Sequence, residues 1–163
     1  MPETKTRQAA AKDKQEGKAP STQAGEYVRE EIEHVRAGKH GARSTQQAIA
    51  IGLSKARRDD VKVAASKTAS KATKKKAGQD ETASHERHQP VAKRSTAATK
   101  ALKKEGHQAA SKKALSAHAS NSAARQPASA RSAAAKKAAR TKGPAARSAA
   151  AKKASTTRAK SNS

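Results

Sequence analysis

The chain has 163 residues, with 37 Lys and Arg against 13 Asp and Glu and a formal net charge of +24. Its 33% hydrophobic content is mostly Ala, 41 residues, which leaves 13 larger apolar side chains and no Phe, Trp or Cys. Ordering a residue costs about 1–2 kcal/mol, and burying a larger apolar side chain gains about 1.5–3 kcal/mol; this balance predicts no single globular domain spanning the chain, and the lack of Cys excludes disulfides, thiolate metal sites and Cys nucleophiles.

Residues 1–24 (MPETKTRQAAAKDKQEGKAPSTQA) carry a net charge of +2 and read as a disordered N-terminal segment. They contain no hydrophobic stretch of the kind a secretory signal needs. No apolar run anywhere approaches the roughly 20 residues of a membrane span.

Residues 25–63 are the one candidate for folding, since nine of the 13 larger apolar residues lie here. Val28, Ile32 and Val35 recur at i, i+4 and i+7, the stripe of an amphipathic helix over about 25–37. Glu26, Glu30 and Glu33 fall on its opposite, solvent side, and Arg29 and Glu33 are spaced as an i, i+4 ion pair. Gly38 is placed to stop this helix. Ser44 with Gln47 makes a capping box that opens a second helix over about 45–58, with Ile49, Leu53 and Ala56 on one face. Gly52 on that face would let the first helix approach closely, while Ile51 points away. An αα-hairpin this small is marginal alone, so a homodimer through residues 25–58 is expected. A DNA-reading helix-turn-helix is the weaker reading, because no third apolar helix completes its core.

The run GEYVREEIEHVRAGKHGARSTQQAIAIGLSKARR (25–58) resembles a domain of unknown function seen in short basic bacterial proteins with Lys/Ala-rich tails. The resemblance implies a bacterial source and DNA binding rather than a reaction. The remaining chain is similar in composition to the arms of bacterial histone-H1-like proteins.

Residues 64–163 form a low-complexity basic tail with a net charge of +20. The octapeptide RSAAAKKA occurs at 131–138 and again at 147–154. Ala, Lys and Arg favour helix, but neighbouring like charges oppose it in water. The fold class expected is therefore mostly disordered with α-helical segments: the small hairpin plus a tail that is helical mainly when bound. The helical stretches expected are 92–104, 109–119, 129–142 and 145–154, separated by Gly106, Pro127 and Gly143-Pro144.

Charge points to phosphate. The candidate nucleic-acid-binding residues are Lys39, Arg43, Lys55, Arg57 and Arg58 of the hairpin, and Lys74, Lys75, Lys76, Lys103, Lys104, Lys112, Lys113, Arg131, Lys136, Lys137, Arg140, Lys142, Arg147, Lys152 and Lys153 of the tail. Aromatic residues for stacking on single strands are missing from the tail. The expected function is nonspecific DNA binding by a cytoplasmic, nucleoid-associated, histone-like protein. An RNA- or ribosome-associated protein and a hydrophilic stress protectant are the alternatives.

Catalysis, cofactors and a small-molecule substrate are not expected, because no nucleophile has a partnered base in an ordered setting. A metal site is not expected either. His85 and His88, with Glu81 and Glu86 nearby, sit in a polar segment without further ligands at a recognised spacing. His34 and His40 are separated by the turn of the hairpin.

Overall fold

A computed structural model describes residues 2–66, 69–85 and 92–161. These divide into two compact units, 1–118 and 119–163. The chain is not mostly disordered; among the described residues it is helical nearly throughout, with no strand. The helices are α1 (Thr4–Gln15), α2 (Pro20–Arg36), α3 (Thr45–Arg58), α4 (Lys71–His85), α5 (Ala92–Lys103), a 3-10 turn (Gln108–Ala110), α6 (Lys112–Ala124) and α7 (Ala128–Ser161), with a break inside α7 at Gly143.

In the first unit α2 and α3 form the central hairpin. Pro20 opens α2 in the first turn, where its missing N–H and fixed φ cost nothing, so α2 begins earlier than the apolar spacing indicates. At its other end Gly38 has φ +72°, and Lys39 and Gly38 donate to the carbonyls of His34 and Val35 at 3.0 and 3.2 Å. That is a Schellman ending. Ser44 Oγ accepts from the Gln47 amide at 3.1 Å, and the Gln47 side chain accepts from the Arg43 amide at 2.9 Å, which fixes the start of α3. Where α2 crosses α3, a Cβ on Gly52 would lie 2.7 Å from Val28 Cα and 3.0 Å from the Tyr27 carbonyl oxygen. Two apolar clusters flank the hairpin. Ile32, Val35, Ala42, Ala48, Ala109 and Ala110 form one, with Val28 and Leu115 against it. Ala10, Ala24, Tyr27, Ala56 and Val61 form the other, with Leu53 and Val63.

Segments expected to be disordered complete these clusters. Residues 4–15 form α1 and pack on α2, burying Ala10. Helix α4 packs on α3, with Ala77 and Asp80 buried. The turn between α2 and α3 receives the segment that follows α5: the Gly41 and Ala42 amides donate to the Leu102 and Gly106 carbonyls at 2.9 and 3.0 Å. A Cβ on Gly41 would collide with the Glu105 backbone. Thr45 Oγ1 and Arg36 Nε donate to the Ala109 and Ala110 carbonyls at 2.6 and 2.8 Å. The cover that was expected from a second copy is thus supplied in large part by the same chain, and Ile51 is half-buried.

The expectation of disorder failed for two physical reasons. It counted only the larger apolar side chains, whereas eight Ala residues are buried in the core. Small residues let helix backbones approach closely, and dispersion then accumulates over many contacts. For the second unit, the opposition of like charges was overestimated. Across residues 131–158 the only like-charge neighbours at i, i+3 or i, i+4 are Lys136 and Lys137 with Arg140. Each such pair costs about 0.2–0.5 kcal/mol, which a run of Ala outweighs. The term "intrinsically disordered" therefore does not apply to the described chain, and its tail helices are a property of the chain itself rather than of a bound state.

Two substitutions check this packing by urea unfolding followed by far-ultraviolet circular dichroism. Gly52→Ala should destabilise by about 1–3 kcal/mol, because the added carbon meets backbone that cannot move aside. Asp60 ends α3 with φ +64°, an uncommon conformation for a residue with a Cβ. Asp60→Gly should stabilise by about 1 kcal/mol by removing that strain.

Candidate functional site

The hairpin places its five candidate basic residues beside carboxylates or carbonyls. Lys39 Nζ lies 2.8 Å from Glu3 Oε1, and Arg43 3.3 Å from Glu105 Oε1. Lys55 Nζ lies 2.5 Å from Glu31 Oε2 and 3.8 Å from Glu30 Oε1. Arg57 Nε donates to the Val63 carbonyl at 2.9 Å. Arg58 offers both Nε and a terminal nitrogen to Asp80 Oδ1 at 3.1 Å, and Ser54 Oγ donates to Asp80 Oδ2 at 2.7 Å. Lys76 joins Asp80 from the same helix at 3.5 Å. The five hairpin cations singled out for phosphate are thus engaged within the fold. Lys74, Lys75, Lys103, Lys104, Lys112 and Lys113 have exposed side chains on or beside α4, α5 and α6.

The second unit is different in kind. Its long helix α7 carries Arg131, Lys136, Lys137, Arg140, Lys142, Arg147, Lys152 and Lys153, and all of these but Lys142, whose side chain is not described, are exposed. Eleven Lys and Arg follow residue 118, and no Asp or Glu does. At Gly143 (φ 68°, ψ 167°) the helix breaks, and Pro144 begins the following segment. The two copies of RSAAAKKA fall one on each side of this break, so each presents the same Arg and Lys-pair spacing from a separate helical segment. Ala between the charges keeps the surface narrow, which allows close approach to a rod-like polyanion.

A second constellation was not anticipated. Glu30 and Glu31 are 5% and 0% exposed, although the apolar spacing assigns Glu30 to the solvent side of α2. The N-terminal segment covers that side: the Glu3 amide donates to Glu30 Oε2 at 3.2 Å. Glu3 Oε1 in turn lies 2.9 Å from His34 Nε2. Hydrogen bonds from Lys39 first, and then from His34, hold the Glu3 carboxyl at about 2, below its ordinary 4.5. The rings of His34 and His40 meet edge-on with centroids 6.1 Å apart. Beyond the His34 and His40 spacing, which the turn made a weak signal, nothing in the sequence marks this group, because its members come from the N-terminus, α2, the turn and α3, and packing joins them. Arg29 pairs with Glu26 rather than with the expected Glu33. Of the other metal candidates, Glu86 and His88 lie outside the described residues.

At the far end of the hairpin, the Tyr27 hydroxyl donates to Asp59 Oδ2 at 2.5 Å, and Arg7 Nε donates to the same oxygen at 2.9 Å. Burial, and then the bond to Asp59, push the Tyr27 phenol well above its ordinary value. This pins α1 and the end of α3 to α2.

No family model, curated protein or solved structure matches the chain. None of the helices among the described residues is long and apolar enough to cross a membrane.

The acid response follows from Glu3. A carboxyl whose folded value lies below its unfolded one adds stability above the unfolded value, and that stability disappears as pH falls through the folded value. Unfolding free energy should therefore drop between pH 4.5 and about 2, and Glu3→Gln should flatten that drop in urea titrations repeated at each pH.

Proposed function

We propose that the protein binds DNA nonspecifically through the phosphate backbone, as a histone-like component of a bacterial nucleoid, with residues 119–163 as the main contact. The observation that carries this reading is the concentration of eleven cations, with no carboxylate side chain among them, on a helical unit whose side chains are exposed almost throughout. In unit 1–118 the hairpin cations already have partners. A cation that must leave an internal carboxylate to meet a phosphate gains little by the exchange, whereas Arg131, Lys136, Lys137, Arg140, Lys152 and Lys153, exposed on α7, gain the full release of condensed counterions. A homodimer is not part of it, since α1, α4 and the 3-10 turn pack on the hairpin from within the same chain.

Neither α7 nor its neighbours carry an aromatic side chain, and Ala separates the cations. Binding should therefore be insensitive to sequence and strongly dependent on salt. Replacing Lys136, Lys137, Arg140, Lys152 and Lys153 together by Gln in the full chain should reduce the slope of log affinity against log salt by about 0.9 for each phosphate that is no longer neutralised. Gel shifts over a salt series measure this. A matching reduction from Lys39→Gln and Arg43→Gln would move the interface to the hairpin. Preference for structured RNA over duplex DNA at equal phosphate concentration would make RNA the partner.

A further inference from the structure

The partly buried group beneath the α2–α3 turn has the composition of a metal site. Glu31, His34 and His40 each offer a ligand atom, and these atoms all lie within 4.8 Å of one another. His40 Nδ1 lies 3.1 Å from the Gly41 carbonyl oxygen, which can only accept, so the ring proton is held at Nδ1. The Nε2 lone pair then faces Glu31 Oε1 at 3.2 Å. Two electron-pair donors thus face one another inside the fold. Glu31 Oε1 has no hydrogen-bond partner although its residue is fully buried, and Glu30 Oε1 beside it also has none. A second proton, on Nε2, would make an ion pair with Glu31 at 3.2 Å but not a well-directed hydrogen bond. A metal ion has no such linear requirement. Two ligands at about 2.0–2.1 Å from a tetrahedral centre stand about 3.3 Å apart, close to the spacing of this pair.

We propose that Glu31, His34 and His40 bind a divalent transition-metal ion of the zinc class, which ties α2 to the turn that precedes α3. Two imidazoles and one carboxylate suit zinc and its neighbours rather than magnesium or calcium, which take oxygen ligands. Three protein ligands leave one position for water. Surrounding residues already serve the site. Lys55 neutralises the second oxygen of Glu31 at 2.5 Å, which leaves Oε1 as the single ligating atom. The Gly41 carbonyl orients His40, the outer-shell role that such carbonyls play around bound metals. His34 turns from Glu3 to the ion, and Lys39 at 2.8 Å keeps Glu3 paired when it does. A cleft of about 330 Å³ has His34 in its wall together with Glu3, Glu30 and Lys39, so this ligand is reached from outside. The site is independent of nucleic-acid binding.

The test uses the full chain. Co²⁺ added at neutral pH should give the visible bands of a tetrahedral centre at one ion per chain, and Zn²⁺ should displace it. In the unaltered protein, Zn²⁺ should shift the imidazole nitrogen NMR signals of His34 and His40 and leave those of His107 and His118 in place. His40→Gln and His34→Gln should each weaken binding by more than about tenfold, while a chain with both His85→Gln and His88→Gln should bind as before. Absence of the cobalt bands together with unmoved His34 and His40 signals would overturn the proposal, and so would binding that disappears with His85 and His88. Because the NMR reading needs no substitution, a variant that fails to fold does not blunt the test.

Discussion

The close crossing of α2 and α3 at Gly52 is the contact on which the first unit depends. A missing side chain brings the α3 backbone against Val28 and the Tyr27 carbonyl. At that separation Val35 and Ala48 fall into one apolar cluster, and Tyr27 and Ala56 into the other. The same separation brings Lys55 of α3 to Glu31 of α2. Had a larger residue stood at 52, the two helices would sit farther apart, and short side chains such as Ala48 and Ala56 would no longer reach across. A core built largely from Ala works only where backbones come this near, because dispersion falls off steeply over a fraction of an ångström.

That hairpin then acts as a platform for segments with little apolar character of their own. Helix α4 has few groups to bury, and its attachment rests on Asp80 meeting Ser54 and the fork of Arg58. The stretch after α5 is held to the turn mainly through backbone carbonyls, which accept from the Gly41 and Ala42 amides, Thr45 and Arg36. Buried polar groups must find partners or incur a desolvation cost, so such bonds specify position more than they add stability. Glu30 and Glu31 are exceptions, each keeping one buried oxygen without a hydrogen bond. A carboxylate oxygen without a hydrogen bond is expensive to bury, and Lys55 beside both carboxylates offsets part of that cost.

Charge is partitioned along the chain in the same way. All 13 acidic residues precede residue 106, within reach of the folded unit, and eleven basic residues follow residue 118 without any. Inside the first unit, the cations of the hairpin meet carboxylates or a carbonyl and help to hold the fold. In the second, Ala supplies helix propensity without a core, and the side chains project cations from two helical segments that meet at Gly143. A single net charge of +24 therefore covers two different physical uses of Lys and Arg.

Local chemistry alone determined the elements whose signals are local. The apolar stripe of Val28, Ile32 and Val35, the Gly38 stop, the Ser44–Gln47 cap and the Gly143-Pro144 break each act over a few residues, and a few residues suffice to recognise them. The small Gly52 was also legible as a point of close approach. The order of the flanking segments was not, because their apolar content is Ala, and whether an Ala is buried depends on what stands opposite. Nor was the engagement of Lys55 and Arg58, whose partners lie 24 and 22 residues away. The Glu31, His34 and His40 group likewise exists only because the turn folds back over α2. Composition set how much charge and how much helix the chain carries; tertiary packing decided which charges are matched internally and which remain for a partner, since pairing depends on distance in space and not on distance in sequence.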